Sequence, residues 1–330
     1  MRAWKRLASL SFLVSACALG VFATLRSGFD ANRVLLYFLL PYYGLTAALQ
    51  YVVPFQPNRF EEREVLTDVV SNVGAIVMGV AQTALTVAIA SYALPNLLVA
   101  SGVLEPRHTM SALPFVVQVV VLFVMSDFLF YWAHRLCHEN ALLWRFHSVH
   151  HCAHRISVLN ASRVHPIDLV FRRIVPMLLT LQITGASPRA VLVAGVIGSV
   201  LGTITHMNTD SDHGFLNYFI GTNQVHRWHH STKYEEAKNF GLTMTWDHLF
   251  GTYFFPPDRD RPTKFGLEDE RFYPLHSYLG QLVVPFRWAA REAALKNAPA
   301  ATIATPDRAT EGHAFASVAD VATSEPLAGS

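Results

Sequence analysis

The chain has 330 residues, 52% of them hydrophobic and 15% charged, with a mean hydropathy of +0.27. That balance argues against an ordinary water-soluble globule and makes the bilayer the solvent to test. The formal charge of +2 is small and scattered and says little about partners, and nothing in the sequence resembles a nucleic-acid stripe or a polybasic lipid patch.

In chain order, residues 7–25, 34–58 and 69–104 are uncharged runs, and 109–133 is interrupted only by Asp127. Each is long enough for the roughly 20 residues of a spanning helix, so four spans are expected. The first run follows Arg2, Lys5 and Arg6 in the manner of a signal peptide, with Ala16 to Ala18 as a cleavage region. Its apolar stretch exceeds the ~7 to 15 residues of such a peptide, which favours a retained anchor. With the amino terminus inside, eleven Lys and Arg fall on inner segments and three on outer ones. The positive-inside rule then puts the segment after residue 133 in the cytoplasm. Cys17, Cys137 and Cys152 form no regular framework and are expected to be free thiols.

From residue 174 to 205 a further apolar stretch is broken by "GASPR" at 185–189, leaving pieces of 11 and 16 residues. At about 1.5 Å per residue these reach less than the ~30 Å hydrocarbon core. A helical hairpin dipping partway and returning is expected, with two tilted full spans as the alternative of the same sidedness. Beyond His206 the chain is polar and aromatic to about Pro274, then offers "LHSYLGQLVVPFRW" at 275–288 as an interfacial helix. The Ala/Thr/Ser-rich residues 298–330 read as a disordered tail. The expected divisions are 1–112 (membrane helices), 113–255 (catalytic), 256–297 (interfacial) and 298–330 (tail).

Three clusters carry the chemistry: "HRLCH" with His134 and His138, "HSVHH" with His147, His150 and His151, and "HRWHH" with His226, His229 and His230. Spacings of three and four put the imidazoles of each cluster on one helix face. A single HxxxH is more often a surface or core feature than a metal site. With 16 His in the chain, two HxxHH patterns and an HxxxH are not a product of chance. Eight imidazoles exceed the four ligands of a structural zinc site, so two metals are expected. Nitrogen ligation suits Fe, Cu, Ni or Zn and not Mg or Ca. A redox pair at a membrane surface beside apolar walls points to iron and O₂.

The order HxxxH, HxxHH, hydrophobic hairpin, HxxHH resembles the fatty acid hydroxylase and sterol desaturase superfamily of integral-membrane di-iron oxygenases. "DFLFYWAHRLCH" at 127–138, "RVHP" at 163–166, "THMN" at 205–208, "HRWHHS" at 226–231, "KNFG" at 238–241 and "WDHLFGTY" at 246–253 extend the likeness over about residues 115–255. The resemblance implies an all-α integral membrane fold: four transmembrane helices and a partly inserted hairpin, capped by a cytosolic histidine-rich di-metal domain. It further implies that the eight motif histidines are ligands, joined by His206 in "HMN". Hydroxylation or desaturation of a lipid follows, with two iron ions (Fe²⁺/Fe³⁺), O₂ as co-substrate and electrons from an external ferredoxin- or cytochrome-type donor with its reductase. No nucleic-acid partner is implied.

Other residues stay open at this point. His165, before Pro166, can be a ligand, a hydrogen-bond partner or a helix cap. Asp127, seven residues before His134, is a costly carboxylate in a span, suited either to orienting His134 or to pairing with an Arg at the membrane surface. Asn208 and Asn239 can hold ligands or serve turns. His154 and His248 read as supporting or structural, and His108, His213, His276 and His313 as uninvolved. Trp132, Trp144, Trp228 and Trp246 read as interfacial or packing aromatics. The rival function is a histidine-rich metal-binding membrane protein, a transporter or sensor, although transporters place ionisable ligands near the midplane of their spans.

Overall fold

A computed structural model of the chain describes residues 2–56, 66–73, 110–256, 258–259 and 261–297. Most of the expected span 69–104, the tail 298–330, His108 and His313 lie outside the described residues; 66–73 is helical. Among the described residues there are helices and no β-strands, only isolated bridges such as Pro54 to Thr209 and Ile220 to Thr243. Among the described residues, four helices are long and apolar enough to cross a membrane: Ala3–Arg26, Ala31–Val52, Phe115–Glu139 and Pro188–Thr205.

Helix α1 (Arg2–Arg26) ends at a turn in which Gly28 and Phe29 take positive φ, 68° and 64°. Asp30 then caps α2 (Ala31–Val52) by accepting from the amides of Asn32 and Arg33. Helix α3 (Phe115–Glu139) turns directly into α4 (Ala141–His151) at Asn140. The Asn140 amide closes the last turn of α3 while its side chain accepts from Leu142 and Leu143. This shared cap makes a sharp corner between the HxxxH and the first HxxHH, so both ring sets face the same space.

The hairpin follows. Helix α5 covers residues 166–184: Pro166–Leu169, a π-helical stretch Val170–Ile174, and Val175–Thr184. Gly185, at φ 56°, ends it, and Ser187 caps α6 (Pro188–Thr205). The arms are longer than the 11 and 16 residues expected, because α5 begins at Pro166 and draws in a charged turn whose Asp168 and Arg172 satisfy each other four residues apart. Its tip lies level with the far ends of the spans. The Ser187 amide donates to Gln118 near the start of α3, and Arg189 stacks over Phe29 in the α1–α2 turn. The hairpin therefore reaches as deep as α1 and α3, closer to the alternative of two full arms than to a shallow dip.

Helix α6 packs against α1 and α3, and α3 against the Val175–Thr184 part of α5. Leu13, Phe38, Tyr42, Val196, Val200 and Ile204 fill the seam between α1, α2 and α6. At one end of this bundle the start of α1 meets the carboxyl ends of α2, α3 and α6. Lys5 and Arg6 pair with Asp210 and Asp212, and the bridge from Pro54 to Thr209 ties in the segment after α2. All histidine motifs gather in that layer, completed by α7 (Asn223–His229), α8 (Thr245–Leu249), α9 (Tyr278–Val283) and α10 (Trp288–Asn297). Trp228 is wholly buried there as a packing residue, and Cys17, Cys137 and Cys152 form no disulfide.

Gln50, near the end of α2, holds two loops of the layer at once: its buried Oε1 accepts from the amides of Val158 and Asn208. Gln50→Leu strands two buried N–H donors, each at a cost of about 1–3 kcal/mol. A clear fall in the thermal unfolding midpoint in detergent is expected; an unchanged midpoint would show that the loops are held elsewhere.

Candidate metal centre

The nine histidines of the three motifs and "HMN" come together as two buried groups. His134, His138, His147, His151 and His229 form one; His150, His206, His226 and His230 form the other. Within each group the candidate ligand atoms lie within 4.8 Å of one another. Each HxxHH divides between the groups, since i and i+4 point one way and i+3 another. His147 and His151 enter the first group and His150 the second, while His226 and His230 enter the second and His229 the first. The groups adjoin where the His151 and His230 rings stack at 4.4 Å.

The outer nitrogens show how the rings are set. His134 Nδ1 faces the Phe240 carbonyl at 2.8 Å and His229 Nδ1 the Lys238 carbonyl at 2.8 Å. His150 Nδ1 faces the Arg163 carbonyl at 3.3 Å, and His147 Nδ1 faces Asp168 at 3.0 Å. A carbonyl only accepts, so each of these Nδ1 atoms carries the proton and Nε2 is left as a bare lone pair. The Thr205 hydroxyl spends its hydrogen on Gly202 and so accepts from His206 Nδ1.

Bare Nε2 atoms then face each other: His134 and His147 at 3.2 Å, His150 and His206 at 3.2 Å. Two acceptors at that separation cannot hydrogen-bond. His138 Nε2 and His229 Nε2 are buried with no hydrogen-bond partner. Lone pairs that converge, and buried ring nitrogens without donors, fit a cation between them. Neutral nitrogen donors of this kind suit a transition metal.

Burial fixes the charge state. It is the leading cause that holds the pKa of His147, His150, His151, His226, His229 and His230 below the ordinary value, and it brings His206 down to about 3. Imidazoles near neutral pH are therefore uncharged and ready to ligate. Asp168 behaves in the opposite sense. Burial raises its pKa, but Arg172 and His147 outweigh that and keep the carboxylate ionised.

Two aspartates organise a loop that serves the first group. Asp247 accepts from the amides of Phe240 and Gly241, and Asp127 from those of Leu242 and Thr243. Asn239 takes φ 67°, a left-handed conformation that Asn tolerates, and clamps Phe254 with both ends of its amide. The loop so fixed presents the carbonyls of Lys238 and Phe240 to His229 and His134. Asp247 holds the Gly241 amide of the peptide unit whose Phe240 carbonyl faces His134, while Asp127 holds the next two amides and no hydrogen bond joins it to the His134 ring. Burial pushes Asp247 up to about 6 against the pull of these hydrogen bonds.

Other candidates fall outside the groups. His165 is the helix cap: Nδ1 accepts from the Ile167 amide and Nε2 donates to the Leu282 carbonyl, so neither nitrogen is left for a metal. Asn208 exchanges hydrogen bonds with the Gln56 backbone. His154 pairs with Glu270, His248 with the Tyr218 carbonyl and His213 with Asn223. Trp144 packs on His138 and His151, at 5.3 and 5.4 Å, and is a wall of the centre rather than an interfacial residue. Asp168 and Asp247 are the residues that motif reading missed. Asp168 follows His165 by three, and Asp247 sits inside the quoted "WDHLFGTY", but neither carries a spacing that names its partner.

Comparison with known proteins matches residues 119–252 to the fatty acid hydroxylase family. An ornithine lipid hydroxylase of Rhizobium tropici is 34% identical over 203 residues, 61% of this chain and 60% of that protein. A methylsterol monooxygenase of Arabidopsis thaliana is 28% identical over 145 residues, 41% of this chain and 52% of that protein. An alkylglycerol monooxygenase of Danio rerio is 31% identical over 142 residues, 42% of this chain and 30% of that protein. The chain thus spans less than two thirds of each of these relatives. No solved structure matches.

Two outcomes follow from this geometry. Asp168→Ala frees the His147 ring and leaves Arg172 unpaired; metal affinity, measured by competition with a chelator, is expected to fall about 10- to 100-fold. The neutral buried histidines make stability rise with pH. The unfolded chain takes up protons below about pH 6.5 and the folded one does not, so stability is full above that pH and is lost as pH falls, by up to about 1.4 kcal/mol per pH unit for each histidine. Unfolding of the metal-free protein should therefore become steeply easier from pH 7 to 5; a flat profile would contradict burial of neutral rings.

Proposed function

We propose that the chain, whose residues 119–252 match the fatty acid hydroxylase family, is a membrane-bound, O₂-dependent oxidoreductase that holds two iron ions and hydroxylates a lipid. The observation that carries the reading is the division of nine buried imidazoles into two adjoining groups whose bare nitrogens converge. His134, His138, His147, His151 and His229 would hold one ion, and His150, His206, His226 and His230 the other. When bound, iron with open positions supplies the activation of O₂ against C–H bonds.

The protein's own contributions are local. Carbonyls 238 and 240, Asp168 and Thr205 fix ring orientation and keep the proton on the outer nitrogen. Trp144 and Phe240 close the first group against water. Position at the end of the spans suits a substrate drawn sideways from the bilayer. Ile167, Val170, Val175, Leu179 and Ile183 give α5 an exposed apolar stripe for such lipid contact. The relatives named above are a hydroxylase and two monooxygenases of lipids, which favours hydroxylation over desaturation here. The excess of Lys and Arg on one side favours a cytoplasmic metal layer, where a small iron–sulfur protein or cytochrome with its reductase can deliver electrons.

Lipid mass spectrometry under ¹⁸O₂ tests the reading in cells expressing the wild type and His229→Ala. A lipid hydroxyl carrying heavy oxygen is expected with the wild type and not with the variant. Loss of two hydrogens without label would establish desaturation, and identical lipids in both strains would end the proposal.

A further inference from the structure

Arg173 is a cation of the bundle whose use among the described residues is not accounted for. It lies in the π-helical stretch of α5, a local winding that is frequent at functional sites. Its neighbour Arg172 is buried, bound to Asp168 through two nitrogens and stacked on Phe130. Asp168 is thereby committed to Arg172 and His147. Among the described residues Arg173 forms no ion pair or hydrogen bond.

Its surroundings show that it does not simply face lipid. Arg173 shares a helix face with Pro176, Thr180 and Thr184, all buried, whereas Val175, Leu179 and Ile183 form the exposed stripe. Yet Arg173 itself is exposed. The guanidinium is thus accessible although its helix face is otherwise packed. Two residues mark where it lies: Tyr43 on α2 is within electrostatic reach of it, and Arg173 is the charged neighbour that acts most strongly on His206. Arg173 therefore lies toward α2 and the end of α6, beside the second histidine group. A charge at this depth is costly and is kept where it meets a partner. Two metal ions held by uncharged imidazoles would add further positive charge to the same region and leave it calling for an anion.

We propose that Arg173 binds the anionic group, a carboxylate or a phosphate, of an amphiphilic lipid substrate and thereby seats a carbon close to that group at the second histidine cluster. This deepens the reading of the chain as a lipid hydroxylase and rests on it. Bidentate geometry suits Arg to either anion, and a carbon far along the chain would be carried past the centre.

Binding by purified protein in neutral detergent, followed by intrinsic tryptophan fluorescence, tests this without turnover. The probes are palmitate, a monoacyl glycerol phosphate and, as neutral reference, hexadecanol. The wild type should bind at least one anionic probe about ten-fold more tightly than hexadecanol, and comparison of the two anions tells carboxylate from phosphate. Arg173→Gln should abolish the preference while leaving hexadecanol binding and iron content unchanged, and Arg173→Lys should retain part of it. A wild type without preference, or Arg173→Gln with the preference intact, would overturn the proposal. Wild-type protein that takes up no iron but still prefers anions would instead refute the oxygenase reading and leave Arg173 as an anion site.

Discussion

The structure depends on one constraint: nine imidazoles have been taken out of water while uncharged, and each must present its lone pair inward. A buried histidine can satisfy itself in several ways, most of which turn the ring away from a metal. Here the outer nitrogen of His134, His147, His150, His206 and His229 is engaged by an acceptor, which fixes both the tautomer and the plane of the ring. Converging acceptors repel each other, so the metal-free arrangement is held by the scaffold around it and not by the rings.

That scaffold is built in tiers. Asp127 and Asp247 do not reach a ring; they hold the amides of residues 240–243, and the neighbouring carbonyls hold His134 and His229. The carboxylates are thus kept one step from the centre, where they order the backbone without contributing ligands. Asp168 alone makes direct contact with a ring, and Arg172 balances its charge. The result is a donor set of neutral nitrogens, and the net charge of the centre is left to whatever binds there.

Membrane architecture and chemistry are coupled through the helix ends. Helices α3 and α6 deliver His134, His138 and His206 by continuing to, or stopping at, the layer where the start of α1 and the end of α2 also meet. Helix α5 has two faces, an exposed apolar stripe and a second face on which Pro176, Thr180 and Thr184 are buried.

Much of this was legible in the sequence, because two of its signals are local. Apolar run length marked three of the four candidate spans among the described residues, and the histidine spacings marked the ligand candidates, although the three imidazoles of each HxxHH, expected on one face, divide between two groups. The ligand candidates and the family resemblance followed from those same residues. What tertiary structure alone decided is whatever depends on meeting across the chain: that each HxxHH splits between two groups, that His165 spends both nitrogens on a cap, that Asp127 holds the amides of Leu242 and Thr243, and that Asp168 orients His147. The hairpin's depth belongs there too, since an ion pair four residues apart let α5 start within a charged turn that hydropathy reads as its end. Periodicity reports which way a side chain leaves its own helix; only packing determines what it finds there.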